Sequence, residues 1–151
     1  MFQECNKLEE LDLTHFNTSK VTDMECMFNK CFNLKRIKGI EKFNTNKVIN
    51  MSQMFQKCNE LEELDLSNFN TSKVIDMGFM FNKCFKLKRI KGIDNFNTNE
   101  VISMRSMFQE CKELEELNLT NFNTSKLTDK EFMFFNCSKK IISNLPNFEI
   151  K

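Results

Sequence analysis

Residues 54–69 read Met54-Phe55-Gln56-Lys57-Cys58-Asn59-Glu60-Leu61-Glu62-Glu63-Leu64-Asp65-Leu66-Ser67-Asn68-Phe69. The opening signature, Met-Phe followed three residues later by Cys, recurs at Met1, Met27, Met54, Met80, Met107 and Met133. The intervals alternate between 26 and 27 residues, so the larger unit is a pair of repeats, 53 residues long. Fixed-period self-similarity marks a stacked repeat architecture, because one such unit cannot bury its apolar side alone. The expected fold is an α/β solenoid, a leucine-rich-repeat-like right-handed coil of short parallel strands and short helices. Residues 1–151 form one repeat domain, with the last repeat a degenerate cap.

Each repeat divides in two. Leu11-Asp12-Leu13 and its counterparts alternate with period two, as a half-buried strand does. Val21, Met24, Phe28 and Cys31 step by three, four and three, the spacing of one helix face, which predicts a short helix. Ser19, Asn46, Ser72, Asn99 and Ser125 precede that half in one column and are good N-cap residues. The extra residue of the 27-residue spacing falls at Gly39 and Gly92, where a bulge at the strand end, with positive φ, is expected.

Composition narrows the function. Lys plus Arg is 22 and Asp plus Glu 21, a balance that excludes the one-sided charge field of a nucleic-acid binder or a polybasic membrane anchor. The one histidine, His15, aligns with Asn68 and Asn121, so it reads as a solvated turn residue and not as a base. No Ala, Trp or Tyr and 19 Lys against 3 Arg suggest an A+T-rich genome. No apolar run is long enough to span a membrane.

Six of the seven cysteines, Cys5, Cys31, Cys58, Cys84, Cys111 and Cys137, share one column 26 or 27 residues apart. Zinc ligands come in close pairs, so these read as buried, reduced thiols, with no metal and no cofactor. Cys26 stands off the column and is the thiol expected to react. Two phenylalanine columns, one through Phe28 and Phe55 and one through Phe16 and Phe43, read as core. The Asn-Thr-Ser sequons at Asn17, Asn70 and Asn123 are glycosylation acceptors only in a eukaryotic secretory pathway, and a turn rich in Asn explains them equally well. Ser and Thr lie in repeated columns without a paired base, so no catalytic activity is expected.

The frame Phe-Asn-Thr-Ser-Lys-Val-Thr-Asp-Met-x-x-Met-Phe-x-x-Cys-x-x-Leu-x-x-Leu-x-Leu, seen in residues 16–34 and 54–66, resembles the BspA-type leucine-rich repeats of bacterial and protozoan surface proteins and mycoplasma lipoproteins. The match covers residues 1 to about 137. The general leucine-rich pattern wants Asn or Cys two residues beyond its strand, where this chain has Phe16, with Asn17 following. The resemblance implies adhesion or protein–protein interaction with a protein partner or host surface component, at the cell surface or in secreted form. Family members usually carry a signal or lipobox upstream, which residues 1–20 lack, so a cytoplasmic scaffold or a passive spacer is the alternative. Met1 falls in the repeat's Met column, so a fragment of a longer protein, or a start that falls in phase, is expected. At the other end Lys130 and Lys140 replace the column's Met and Leu, and Leu145-Pro146 stops the coil. The chain is expected to be a monomer.

Partner binding is expected on the concave strand face. If Leu11 and Leu13 point inward, Glu10 and Asp12 point out, followed rung by rung by Arg36 and Lys38, Glu63 and Asp65, Arg89 and Lys91, and Glu116 and Asn118. Acid faces base at nearly every step, which a two-repeat period achieves and identical repeats could not.

Overall fold

The computed structural model describes residues 1–142; the stop at Leu145-Pro146 lies outside the described residues. Four strands of three residues each form where expected: β1 Glu10–Asp12, β2 Arg36–Lys38, β3 Glu63–Asp65 and β4 Arg89–Lys91. Their central Leu11, Ile37, Leu64 and Ile90 turn toward the core, and the flanking charges are solvated or half-buried. β1 pairs with β2 and β3 with β4, all parallel.

The sheet is not continuous. It breaks between β2 and β3, and Glu116 and Asn118 lie outside any strand. Both breaks coincide with the 27-residue spacing. There Gly39 and Gly92, at φ 85° and 82°, turn the chain straight into the 3-10 turns Ile40–Lys42 and Ile93–Asn95. The positive φ anticipated for these glycines is present; the expected bulge is a left-handed link that ends the strand.

The second half of each repeat differs from expectation. Within the Met-Phe segments no helix forms; the one α-helical turn described is α1, Lys139–Ile142, which contains Lys140. Residues 24–31 are chained β-turns. The amides of Met24, Cys26, Phe28 and Lys30 donate to the carbonyls of Asn50, Ser52, Met54 and Gln56 on the next rung (3.0, 3.1, 2.9 and 2.7 Å). The alternate amides of Met27, Asn29 and Cys31 donate three residues back (3.2, 3.1 and 3.2 Å). An α-helix would send every amide four residues back within its own segment. Left-handed residues twice per rung, such as Cys26 and Lys30 at φ 54° and 60°, turn half of the amides outward. The three-four-three spacing fits both arrangements, so it does not separate a helix from chained turns. The unbroken ladder of the molecule runs here, through Asp23, Asn50, Asp76, Ser103 and Asp129.

The expected N-cap column is also reassigned. Ser19, Asn46, Ser72, Asn99 and Ser125 donate their backbone amides to the side-chain oxygens of Asn17, Asn44, Asn70, Asn97 and Asn123, two residues earlier. These are Asx turns, with Asn as the capping residue.

The core threads every rung. Phe28, Phe55, Phe81 and Phe108 are fully buried and stack nearly parallel, with centroids 5.4, 5.7 and 5.5 Å apart. Each ring is worth ~1.5–3 kcal/mol of burial, shared with both neighbouring rungs. Phe43, Phe69 and Phe96 of the second column are buried too, but Phe16 is 44% exposed and Phe122 half-buried. Phe16 sits on the first rung, which has a neighbour on one side only. Polar ladders join the rungs inside the stack. The hydroxyls of buried Thr18, Thr45, Thr71 and Thr98 donate to the carbonyls of Asn44, Asn70, Asn97 and Asn123. Asn29, Gln56, Asn82 and Gln109 form an amide chain, each side-chain nitrogen donating to the next oxygen (2.7, 3.1 and 2.9 Å).

Candidate interaction surface

The strand face presents the ten residues named from the sequence on five successive rungs, all exposed except half-buried Asp65. In register, Glu10 faces Arg36, Asp12 faces Lys38, Glu63 faces Arg89 and Asp65 faces Lys91. Ion pairs follow at Asp12–Lys38 (3.0 Å), Asp65–Lys91 (2.8 Å) and Glu63–Arg89 (3.2 Å). Arg89 also reaches across the second sheet break to Glu116 (2.9 Å). Among the described residues Arg36 makes no ion pair within 4 Å.

Local hydrogen bonds fix the carboxylates. Thr14, whose amide donates to it at 2.9 Å, and then Lys38 hold the Asp12 carboxyl well below the usual carboxylate range. Lys91 and then Ser67 lower the Asp65 carboxyl as well. A second charge column, outside the ten residues named from the sequence, runs alongside: Glu9–Lys35 and Glu62–Lys88 pair at 2.7 and 2.8 Å. Its signal was in the sequence, since residues 9, 35, 62 and 88 alternate acid and base in the same two-repeat rhythm.

Shallow open grooves lie at both sheet breaks. One, of about 410 Å³, runs beside Arg36 and Glu63; the other, about 470 Å³, lies between Arg89 and Glu116, with Ile90, Leu117 and Ile141 among its lining. The broken ladder creates them: where the strands do not pair, the rungs leave a furrow.

The reactive groups are engaged in structure. All seven cysteines are free, and those at 31, 58, 84, 111 and 137 are buried. Their sulfurs donate to carbonyls of neighbouring rungs, as Cys58 does to Phe28 (3.2 Å) and Cys84 to Phe55 (3.1 Å). Burial pushes the Cys58, Cys84 and Cys111 thiols well up, and Cys137 up to about 11. Cys26 is half-buried, and burial, then Glu25 and Asp23, push its thiol up as well, which opposes the reactivity expected of it. Cys5 is half-buried too. His15 is exposed in a turn. Among the described residues no group of three His, Cys, Asp or Glu side chains could hold a metal ion. No described helix is long and apolar enough to cross a membrane. The surface offers charge and shape for binding.

A family model described as "Mycoplasma protein of unknown function, DUF285" matches residues 1–91 and 88–151. The chain belongs to that family. Among solved structures, it is similar to a leucine-rich repeat protein from Eubacterium ventriosum, with a TM-score of 0.61 and 18% identity, over 97% of this chain and 34% of that one. The likeness establishes a distant leucine-rich-repeat-like fold. This member of the DUF285 family spans about a third of that protein's length. No curated protein matches it.

Proposed function

We propose that the chain is a non-catalytic recognition scaffold, a single solenoid domain of the BspA-type kind, whose strand face binds a protein partner or a host surface component. The observation that supports this most is the strand face itself: charged, exposed side chains at fixed spacing on a continuous packed core. Stacked repeats commonly use such extended faces for recognition. The grooves beside Arg36 and Arg89 add relief that a flat sheet lacks. On this reading the chain acts at the cell surface or in secreted form, and protease accessibility on intact cells tests that location.

Binding is tested by titrating intact host cells with fluorescently labelled chain. Saturable binding is expected, weakened at least tenfold by Arg36→Ala with Lys38→Ala and Lys91→Ala while the melting temperature stays near wild type. Unsaturable binding, or binding indifferent to those changes, overturns the reading. One observation favours a passive spacer instead: Asp12, Lys38, Glu63, Asp65, Arg89 and Lys91 already satisfy one another. A spacer would show no saturable binding at all.

A further inference from the structure

Opposite in character to the strand face is a stripe on the unbroken ladder. Ile49, Ile75 and Ile102 stand in one column and remain 47%, 44% and 47% exposed. Their amides donate rung to rung, Ile49 to Thr22, Ile75 to Ile49 and Ile102 to Ile75, each at 2.9 Å, and Thr128 closes the column on Ile102. Isoleucine in three successive rungs is more apolar surface than the fold needs there, since Thr22 and Thr128 fill the same position at the ends.

The stripe is bordered by opposite charges. Exposed Lys20, Lys47 and Lys73 lie two residues before it and form no ion pair among the described residues. Glu100 interrupts that column beside Ile102 and engages its neighbour Lys126 (2.7 Å). One residue after the stripe come Asp23, Asn50, Asp76, Ser103 and Asp129. Their carboxylates are held in place: Asp23 accepts the Glu25 amide (2.9 Å) and Asp76 the Gly78 amide (2.7 Å). Along the chain the order is therefore Lys20-Thr22-Asp23 on one rung and Lys73-Ile75-Asp76 two rungs on.

We propose that this face binds a second copy of the chain, about a two-fold axis parallel to the stack, in place of the monomer expected from sequence. That axis reverses the order of the columns in the facing copy. Lys20 then meets the second copy's Asp23 column, Lys73 meets its Asp76 column, and the isoleucines meet one another. An axis across the stack would set lysine on lysine. Self-complementarity of one patch is what a two-fold dimer requires. Five rungs give less contact than the ~800 Å² per partner of a standard interface, so the dimer is weak and salt-sensitive.

Sedimentation equilibrium from micromolar to millimolar chain is the test. The wild-type mass is expected to rise from 18.0 kDa toward twice that, and less so at high salt. Ile75→Glu should hold the mass at one chain throughout, as should Lys20→Glu with Lys73→Glu. Asp23→Asn with Asp76→Asn should weaken association several-fold while keeping both turns, since Asn50 already caps the Ser52 amide in the same column (2.9 Å). Circular dichroism checks that each variant is folded, and the asparagine pair stands as the test if a glutamate variant is not. A single-chain mass for wild type over the whole range overturns the proposal. So does a dimer indifferent to both Ile75→Glu and the asparagine pair, which would place the contact elsewhere.

Discussion

Gly39 lies against Thr14 of the preceding rung so closely that a β-carbon on it would sit 2.4 Å from the Thr14 backbone nitrogen. Gly92 stands in the same relation to Ser67, 2.4 Å from its α-carbon. Both have positive φ, so a side chain meets backbone that cannot move aside and a conformation L-residues disfavour.

Gly39→Ala is therefore expected to cost more than the ~1–2 kcal/mol that left-handed backbone alone exacts from an L-residue. Urea denaturation measures it, with Gly78→Ala as the contrast. Gly78 lacks the positive φ and its nearest neighbour is the Asp76 side chain at 3.1 Å, so its substitution should cost less.

Arg89 is expected to matter more than Arg36. It joins Glu63 to Glu116 across a sheet break, whereas Arg36 forms no ion pair among the described residues. Arg89→Glu should lower the melting temperature more than Arg36→Glu does, and adding Glu63→Arg should recover part of the loss. Additive effects in that cycle would mean the guanidinium does not couple to Glu63. High salt should shrink the difference, because these side chains are exposed.

Asn82 is the inner link of the amide chain, accepting from Gln56 and donating to Gln109. Asn82→Ala takes the acceptor from the Gln56 side-chain nitrogen and the donor from the Gln109 side-chain oxygen, both partly buried, at ~1–3 kcal/mol for each unsatisfied group. Asn29→Ala breaks one link and should cost less. Equal losses in chemical denaturation would show that the chain carries no special share of stability.

The thiol column makes the fold alkali-sensitive. Cys137 is raised from an ordinary value of 9.0 to about 11, and Cys84 and Cys111 are raised well above 9.0. A raised folded-state value means the unfolded chain releases its protons first as pH climbs. The stability is fully present below about pH 9 and is lost as pH rises toward 11. Denaturation midpoints across that window should fall, and Cys84→Ala should flatten the slope even while lowering stability overall. Native thiol titration should reach only the half-buried Cys5 and Cys26, with Cys26 slowed by its raised thiol, and all seven after unfolding.

The strands, the phenylalanine stack and the charge alternation were legible because each depends on a side chain's chemistry repeated in one column. Leu64 and Ile90 had to point inward, and Glu63 and Arg89 followed. What was not legible depends on backbone dihedrals that the residue types do not advertise. Lys57, Lys83 and Glu110 carry no mark of positive φ, yet all adopt it. The amide chain could have been found, since Asn29, Gln56, Asn82 and Gln109 form a polar column between buried Phe and Cys columns. The sheet breaks were half-legible: the glycines marked the place, and the loss of pairing there did not follow from spacing alone.

The same dihedrals separate a turn ladder from a helix by experiment. Lys57 has φ 62° and lies in the segment whose apolar spacing reads as helical. In a helix, glycine at that position would destabilise by ~1 kcal/mol relative to a good helix former. In the observed turn, glycine removes the ~1–2 kcal/mol strain of left-handed backbone. It also adds ~0.5–1 kcal/mol of unfolded-state entropy, so the net change should be neutral to stabilising. Lys57→Gly is therefore expected to hold or raise the melting temperature. Its counterpart Lys83→Gly also removes the ion pair with Glu110 (3.4 Å) and should gain less. A clear loss on Lys57→Gly, of the size a helix would show, would contradict the chained turns and restore the helical reading of residues 51–58.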